Sequence, residues 1–81
     1  MQVIVRFYSY FKDLTGCAET TETVPESSTI ADLLGKLSTR FPKLSAMQKS
    51  TLIAVGVEYQ GRTYALSDGE EVSLFPPVQG G

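Results

Sequence analysis

The sequence contains no histidine, no tryptophan and a single cysteine, Cys17. Without histidine, the chain lacks the most common general base, the partner base of serine and cysteine nucleophiles, and the most common metal ligand. One cysteine cannot form an internal disulfide and is typical of a protein from a reducing compartment. These absences argue against a self-contained enzyme or a resident metal site, and they predict a cytoplasmic protein.

Long apolar runs and blocks of basic residues are also missing. The longest apolar run is only a few residues, and the N-terminal segment lacks the basic region and the long apolar region of a signal peptide. Seven basic and nine acidic residues give a net charge of −2, with no cluster of lysine and arginine. We therefore expect neither a membrane nor a nucleic acid as a partner.

What remains is the composition of one small globular domain. Its 81 residues are 42% hydrophobic and 20% charged, and such a chain buries about 60% of its unfolded surface. Runs of β-branched and apolar residues predict four main strands, the first of them buried and central. They lie at residues 3–8, 19–24, 52–57 and 72–75. Ser9 and Gly16 suit the start and end of a short helical turn, a turn at 60–61 leads toward 63–64, and 43–50 is predicted as a loop.

One amphipathic helix is predicted between the second and third strands. Thr29 suits its N-cap, and Asp32 lies in the first turn, where the helix dipole favours an acid. Pro42 ends the helix, because the residue before a proline avoids helical backbone. Apolar residues recur at helical spacing, at Ile30, Leu33, Leu34, Leu37 and Phe41. The order β-β-α-β-β predicts an α+β roll, with one mixed sheet packed on one main helix, as in ubiquitin.

The last six residues carry the most informative signal. Pro76 and Pro77 exclude further strand or helix and favour an extended path. Gly80 and Gly81 have no Cβ, so they can pass through a channel too narrow for side chains. Fully extended, the segment reaches about 20 Å. We therefore expect it to place a carboxylate on Gly81 inside another protein.

A carboxylate at Gly81 predicts chemistry that the chain cannot perform alone. The carboxylate is a poor electrophile, but it can attack the α-phosphate of ATP and form a reactive acyl-adenylate. The sequence has no glycine-rich phosphate loop, so a partner must supply the ATP site. Attack by sulfur would then leave a thiocarboxylate. Residues 1–75 are predicted as the folded domain and 76–81 as its tail; the alternative is a frayed end without function.

Four segments of the chain match the motifs of one known family. FPPVQGG at 75–81 matches F-P-P-V-x-G-G, and LSDGEEV at 66–72 matches L-x-D-G-D-E-V. FYSYFKDLTG at 7–16 and TIADLL at 29–34 are similar to F-F-A-x-x-R-E-L-x-G and T-V-A-D-L-L. In these segments the chain resembles the MoaD/ThiS family of ubiquitin-like sulfur carriers, in particular its molybdopterin-synthase branch. The resemblance covers essentially the whole chain and implies a β-grasp (ubiquitin-like) fold.

The resemblance implies a sulfur carrier for molybdenum cofactor biosynthesis. An E1-like adenylyltransferase would activate Gly81 with ATP, and a sulfur donor of desulfurase or rhodanese type would convert it to a thiocarboxylate. The carrier itself would bind no cofactor. Its tail would enter the active site of the large synthase subunit, in a heterotetramer of two small and two large subunits, and give sulfur to cyclic pyranopterin monophosphate. The inserted residues would be Pro76, Pro77, Val78, Gln79 and Gly80.

The resemblance also implies a docking patch. Phe75, Tyr59 and Tyr8 match its apolar positions, and the alternation of the last strand favours exposure of Phe75. The alternative is that they are ordinary core or half-exposed aromatic residues. Gly56 departs from the asparagine usual in the family and would suit a bulge. For Cys17, a sulfur-relay role stands against a small structural residue, because no adjacent histidine, lysine or arginine activates the thiol.

Other functions would use the same features. The sulfur acceptor could be a thiamin precursor, a tRNA or cysteine. The adenylated tail could instead be joined to lysines, which would make the chain a protein modifier. An adaptor of ubiquitin-like fold would need no tail and would keep its function after deletion of Gly80 and Gly81.

Overall fold

The observed elements follow the predicted order, with additions. The computed structural model describes residues 1–77. Over this range the strands are β1 (Gln2–Phe7), β2 (Glu19–Thr23), β3 (Leu52–Val55), β4 (Glu58–Tyr59) and β5 (Glu71–Phe75). The helices are α1 (Phe11–Thr15), α2 (Ile30–Arg40) and a 3₁₀ helix, Pro42–Met47.

The strands form one mixed sheet in the order β2-β1-β5-β3-β4. β1 and β5 run parallel, and every other neighbouring pair is antiparallel. β1 has a neighbour on each side, as predicted for a buried central strand, and β5 lies in the middle of the sheet. The predicted α+β roll of β-grasp type, with its antiparallel first two strands, is confirmed.

The hydrophobic core lies between α2 and one face of the sheet. Alternate residues of β1 and β5 point into it and are at most 2% exposed: Val3, Val5, Phe7, Val72 and Leu74. The predicted apolar stripe of α2 faces them and is buried: Ile30, Leu33, Leu34 and Leu37. Phe41 follows the helix, with its ring edge-on to Phe7 at 5.6 Å between centroids. Since α2 covers one face only, the opposite face of the sheet is open.

α2 begins with a capping box. Thr29 Oγ1 accepts a hydrogen bond from the Asp32 N–H at 3.3 Å, and Asp32 Oδ2 accepts one from the Thr29 N–H at 2.9 Å. The helix ends at Arg40, two residues before Pro42. Both predicted helix boundaries are therefore confirmed, and each has a local cause in the sequence.

The substitution Thr29→Ala is expected to destabilise the domain by about 1 kcal/mol, because an N-cap oxygen is lost. In a domain of this size that corresponds to roughly 4–8 °C in melting temperature. Thr39→Ala is the matched control, since Thr39 is exposed and its hydroxyl donates a hydrogen bond only to the Gly35 carbonyl of its own helix. Thermal unfolding followed by circular dichroism measures both. Equal melting temperatures for the two variants would contradict the capping role.

Two predictions about α1 and the segment after α2 are wrong. Ser9 does not cap α1: Tyr10 occupies the N-cap without a side-chain hydrogen bond, and Ser9 has a left-handed backbone, φ 55°. The predicted loop at 43–50 contains the 3₁₀ helix, which forms because Leu44 packs into the core at 6% exposure. The prediction for Gly16 is confirmed, since it ends α1 in the left-handed conformation, φ 76°.

The third predicted strand is shorter than expected. β3 ends at Val55, because Gly56 adopts φ 61° and turns the chain with Val57 into β4. A glycine at the first of two central positions suits a tight hairpin turn. Gly56 is thus a turn residue rather than a bulge. Beyond β4, the pair 63–64 forms no strand, and only Ala65 makes an isolated bridge, to Thr29.

Tyr64 gives the stability of the domain a dependence on alkaline pH. Its hydroxyl donates to Glu70 Oε2 at 2.7 Å. This hydrogen bond, with burial and the negative charges of Glu70 and Glu58, raises the pKa of Tyr64 above its ordinary value. The neutral phenol is therefore favoured in the folded state. Its stabilising contribution is complete below the unfolded pKa of about 10 and is lost as the pH rises through the folded pKa.

We expect Tyr64→Phe to melt below wild type at neutral pH, and the difference to shrink as the pH is raised above about 10. Melting temperatures of both proteins across pH 7 to about 11 test this. Because the other tyrosines are common to both chains, the difference isolates Tyr64. A difference independent of pH would contradict the interaction with Glu70.

Among residues 1–77, no helix is long and apolar enough to cross a membrane. The same part of the chain holds no group of three or more histidine, cysteine, aspartate or glutamate side chains arranged to bind a metal ion.

Candidate functional site

The site is built where the chain leaves the sheet. β5 ends at Phe75, and Pro76 and Pro77 follow directly, both half-buried. The remaining predicted tail residues, Val78, Gln79, Gly80 and Gly81, lie outside the described residues, and their roles stay predictions. The structure therefore defines the start of the tail, Phe75, Pro76 and Pro77, which we call the root of the tail.

Parallel pairing brings a distant tyrosine to this root. Since β1 and β5 run in the same direction, they end at the same edge of the sheet. Tyr8 follows the end of β1, and its N–H donates to the Leu74 carbonyl at 3.1 Å. The Tyr8 ring stacks on the Phe75 ring, with 4.6 Å between centroids and 17° between planes. Offset stacking at such distances is favourable for aromatic pairs.

Tyr59 completes the group from β4, the strand at the edge of the sheet. It lies opposite Ala54 on β3, which in turn pairs with Ser73 on β5, so Tyr59 is on the open face. Its ring meets that of Phe75 edge-on, at 6.4 Å and 62°. We call Tyr8, Tyr59 and Phe75 the aromatic cluster. The three residues predicted for docking are therefore neighbours in space.

The three members of the aromatic cluster differ in exposure. Tyr59 is 72% exposed and Tyr8 is 38% exposed. Phe75 lies between them and is half-buried. The expected exposure of Phe75 is only partly realised, because the Tyr8 ring covers one of its faces. Large apolar side chains exposed together are typical of protein interaction sites.

The open sheet face extends the aromatic cluster with small and aliphatic residues. On this face lie Ile4 of β1, Ser73 of β5, and Leu52 and Ala54 of β3. Arg6 and Glu71 form an ion pair there, with Nε 3.1 Å from Oε1, and both side chains are 42–44% exposed. Surface pairs of this kind contribute little to stability. Around Phe75 the face is formed by small or apolar residues. Toward β2 it becomes polar, because Glu19, Thr21 and Thr23 pair there with Arg6, Ile4 and Gln2.

Sequence reasoning missed this wider surface. Ile4 and Leu52 read as core residues in nearly continuous apolar runs, yet both sit on the face away from α2 and are half-buried. Val57, at the tip of the β3–β4 hairpin, is 99% exposed. Alternation along β1 and β3 separates Ile4 from Val5 and Leu52 from Ile53, but it does not identify the face that packs against α2.

Cys17 lies outside the aromatic cluster. It packs half-buried against the core, between α1 and β2, and its Sγ is 3.8 Å from the Thr15 hydroxyl. Thr15 also donates to the Cys17 carbonyl at 2.9 Å. These contacts agree with the interpretation of Cys17 as a small structural residue.

The arrangement combines apolar aromatic side chains with a proline-stiffened exit of the chain from β5. Such a surface suits contact with another protein.

Comparisons with known proteins agree with this geometry. The ThiS family model matches residues 5–81. A molybdopterin synthase sulfur carrier subunit of Chlamydomonas reinhardtii is 31% identical over 84 residues, covering all of both chains. Small archaeal modifier protein 3 of Haloferax volcanii is 26% identical over 95 residues, again over all of both chains.

A solved structure gives the same result for the fold. The putative molybdopterin converting factor subunit 1 of Pyrococcus furiosus superposes with a TM-score of 0.88 at 28% identity, covering 96% of this chain and 99% of that one. The family match spans nearly the whole chain and includes all three members of the aromatic cluster and the tail. This chain belongs to the ThiS family of small β-grasp proteins.

Proposed function

We propose that this chain is a cytoplasmic sulfur carrier subunit of molybdopterin synthase, with Gly81 as the carrier residue. The observation that carries the proposal is the aromatic cluster at the root of a Pro-Pro-Val-Gln-Gly-Gly tail. Full-length similarity to a protein of that name supports it.

The carrier chemistry runs through the carboxylate of Gly81. A carboxylate oxygen attacks the α-phosphate of ATP, and pyrophosphate leaves, so that an acyl-adenylate forms. A sulfur nucleophile at the oxidation level of hydrosulfide then adds to the carbonyl carbon and displaces AMP. A thiocarboxylate remains on Gly81 and can donate its sulfur. All phosphate chemistry takes place in the activating partner, which uses the ATP.

Each partner would use the same two features of the carrier. An E1-like adenylyltransferase and the large synthase subunit both need to hold the domain while the tail lies in an active site. Tyr59, Phe75 and the open sheet face supply apolar contact area. A sulfur donor of desulfurase or rhodanese type would carry its sulfur as a persulfide. Its terminal sulfur would displace AMP and leave an acyl disulfide on Gly81, and a thiol would then cleave the S–S bond, which releases the thiocarboxylate and a new disulfide. Since the tail can serve one active site at a time, the two enzymes bind the carrier in turn.

Reconstitution of product formation tests the proposal. The chain is loaded with sulfur by an E1-like enzyme, ATP and a sulfide source, then mixed with the large synthase subunit from the same organism and cyclic pyranopterin monophosphate. We expect molybdopterin, detected as its fluorescent oxidation product, only with the loaded carrier. The unloaded carboxylate form is the control. Loading without product formation would reject this acceptor while leaving the carrier chemistry intact.

A second function has a specific observation in its favour. The similarity to an archaeal modifier protein extends over the whole of both chains, and the acyl-adenylate serves isopeptide formation equally well. In cells of the native host, a modifier would form Gly81-linked conjugates with target lysines. Trypsin cleaves last after Arg62, so a conjugated lysine would carry residues 63–81 as its remnant. Mass spectrometry of tryptic peptides for lysines with this remnant separates the two functions, because a dedicated sulfur carrier leaves none.

A further inference from the structure

We infer that Tyr8 is a positioning residue that acts through Phe75, by holding the root of the tail in one direction. The inference rests on the proposed carrier function and assigns Tyr8 a role within the carrier itself. It differs from a docking role, in which Tyr8 would contact the partner directly.

The first observation is the difference between the two contacts of Phe75. The Tyr8 ring is nearly parallel to the Phe75 ring, at 4.6 Å and 17°, whereas Tyr59 approaches edge-on at 6.4 Å. Tyr8 therefore covers a face of Phe75, and Tyr59 reaches it only from the side. With Tyr59 72% exposed and Tyr8 38% exposed, Tyr59 is the more available to a partner.

The second observation is that the backbone of Tyr8 is held on both sides. Its N–H donates to the Leu74 carbonyl at 3.1 Å, and its carbonyl accepts from the Phe11 N–H at 3.2 Å. Ser9, directly after it, adopts a left-handed backbone that L-residues rarely use. Such a conformation persists where the surrounding structure requires it. Here it reverses the chain at the end of β1, which leaves Tyr8 over the end of β5.

The third observation is the position of Phe75 in the chain. It is the last residue of β5, and Pro76 restricts it to extended backbone. Fixing the Phe75 ring therefore fixes the direction in which Pro76 and Pro77 leave the sheet. A tail that already points one way loses less conformational freedom when it enters a partner. Loosening it should weaken binding without changing the chemical step.

The matched variants are Tyr8→Leu, Tyr8→Phe and Tyr10→Leu. Leucine removes the planar ring, and phenylalanine keeps it. Tyr10 is as exposed as Tyr8, at 38%, but its ring contacts Phe11 at 5.6 Å rather than the tail root. ATP–pyrophosphate exchange with the E1-like enzyme of the same organism gives KM and kcat for each carrier. Circular dichroism melting curves confirm that each variant is folded.

We expect Tyr8→Leu to raise KM by about two- to tenfold, the range that corresponds to one stacked aromatic pair, with kcat unchanged. Tyr8→Phe is expected to keep the wild-type KM, because it keeps the ring, and Tyr10→Leu is expected to have the wild-type KM and kcat. A fall in kcat at constant KM, or loss of binding in Tyr8→Phe, would overturn the inference.

A double-mutant cycle with Phe75→Leu separates positioning from direct contact. If Tyr8 acts through Phe75, the substitution Tyr8→Leu has little further effect on KM once Phe75 is leucine. Additive effects would mean that Tyr8 touches the partner independently, and the inference would be wrong. Failure of wild-type carrier to support any exchange would instead reject the proposed function, so the two failures are distinguishable.

Discussion

A carrier extended by one alanine after Gly81 is expected to lose sulfur loading completely while keeping the wild-type melting temperature. The extension moves the carboxylate away from the α-phosphate that it must attack, and reacting atoms need to lie within about 3–3.5 Å. The fold is unaffected because the core elements lie between Gln2 and Phe75. Adenylation by the E1-like enzyme and intact mass after incubation with a sulfide source measure the loss.

Gly81→Ala tests the same point without changing the length of the tail. A Cβ at this position must pass wherever the tail passes, and a channel shaped for glycine excludes it. We expect adenylation to fall by at least a hundredfold, on the order of the effect of misplacing a reacting group by about 1 Å. Glu26→Ala is the control, because Glu26 is exposed and follows Thr23, which pairs with Gln2 at the opposite end of the sheet from Phe75. Normal loading of the extended chain, with the added residue still present, would contradict the role of Gly81.

The second large effect is expected at Tyr59. The substitution Tyr59→Asp places a charge on the most exposed member of the aromatic cluster, where a partner would have to desolvate it. Interface anchors of this kind contribute about 2 kcal/mol or more, so the affinity for the large synthase subunit should fall at least about thirtyfold. Stability should hardly change, because the ring is 72% exposed. Titration calorimetry measures the affinity.

Tyr10→Asp is the matched control for this experiment. It introduces the same charge in place of another exposed tyrosine, whose ring contacts Phe11 rather than the aromatic cluster. We expect its affinity for the large subunit to equal that of wild type. Equal losses in both variants would show that net charge, rather than the aromatic cluster, governs binding.

The parts of the fold that the sequence predicts are those with a local physical cause. The capping box of Thr29 and Asp32 marks the start of α2, and Pro42 marks its end. Both signals lie within a few residues of the boundary that they predict. The alternation of β5 separates Phe75 from Val72 and Leu74, and these two residues are buried in the core. In each case the decisive interaction lies within a few residues of the pattern that predicts it.

The parts that the sequence does not predict depend on distant contacts. Leu44 turns an apparent loop into a 3₁₀ helix by packing into the core. Tyr8 stacks on Phe75 because β1 and β5 pair in parallel, across most of the chain length. The same topology leaves Ser9 with a backbone that its residue type does not favour.

The candidate site divides in the same way. The tail motif and three aromatic positions follow from the sequence and its resemblance to a family. Their meeting at one edge of the sheet required the topology. The open face around Ile4 and Leu52 was missed, because a run of apolar residues does not reveal which members face the helix.

Intact mass spectrometry of the chain purified from its own host tests directly whether Gly81 carries sulfur. We expect a species heavier by the mass difference between sulfur and oxygen, with the change localised to Gly81 by fragmentation. Incubation with ATP, the E1-like enzyme and a sulfide source should convert the remaining carboxylate to the same species. If neither the purified nor the incubated protein gains sulfur at Gly81, the carrier function is contradicted.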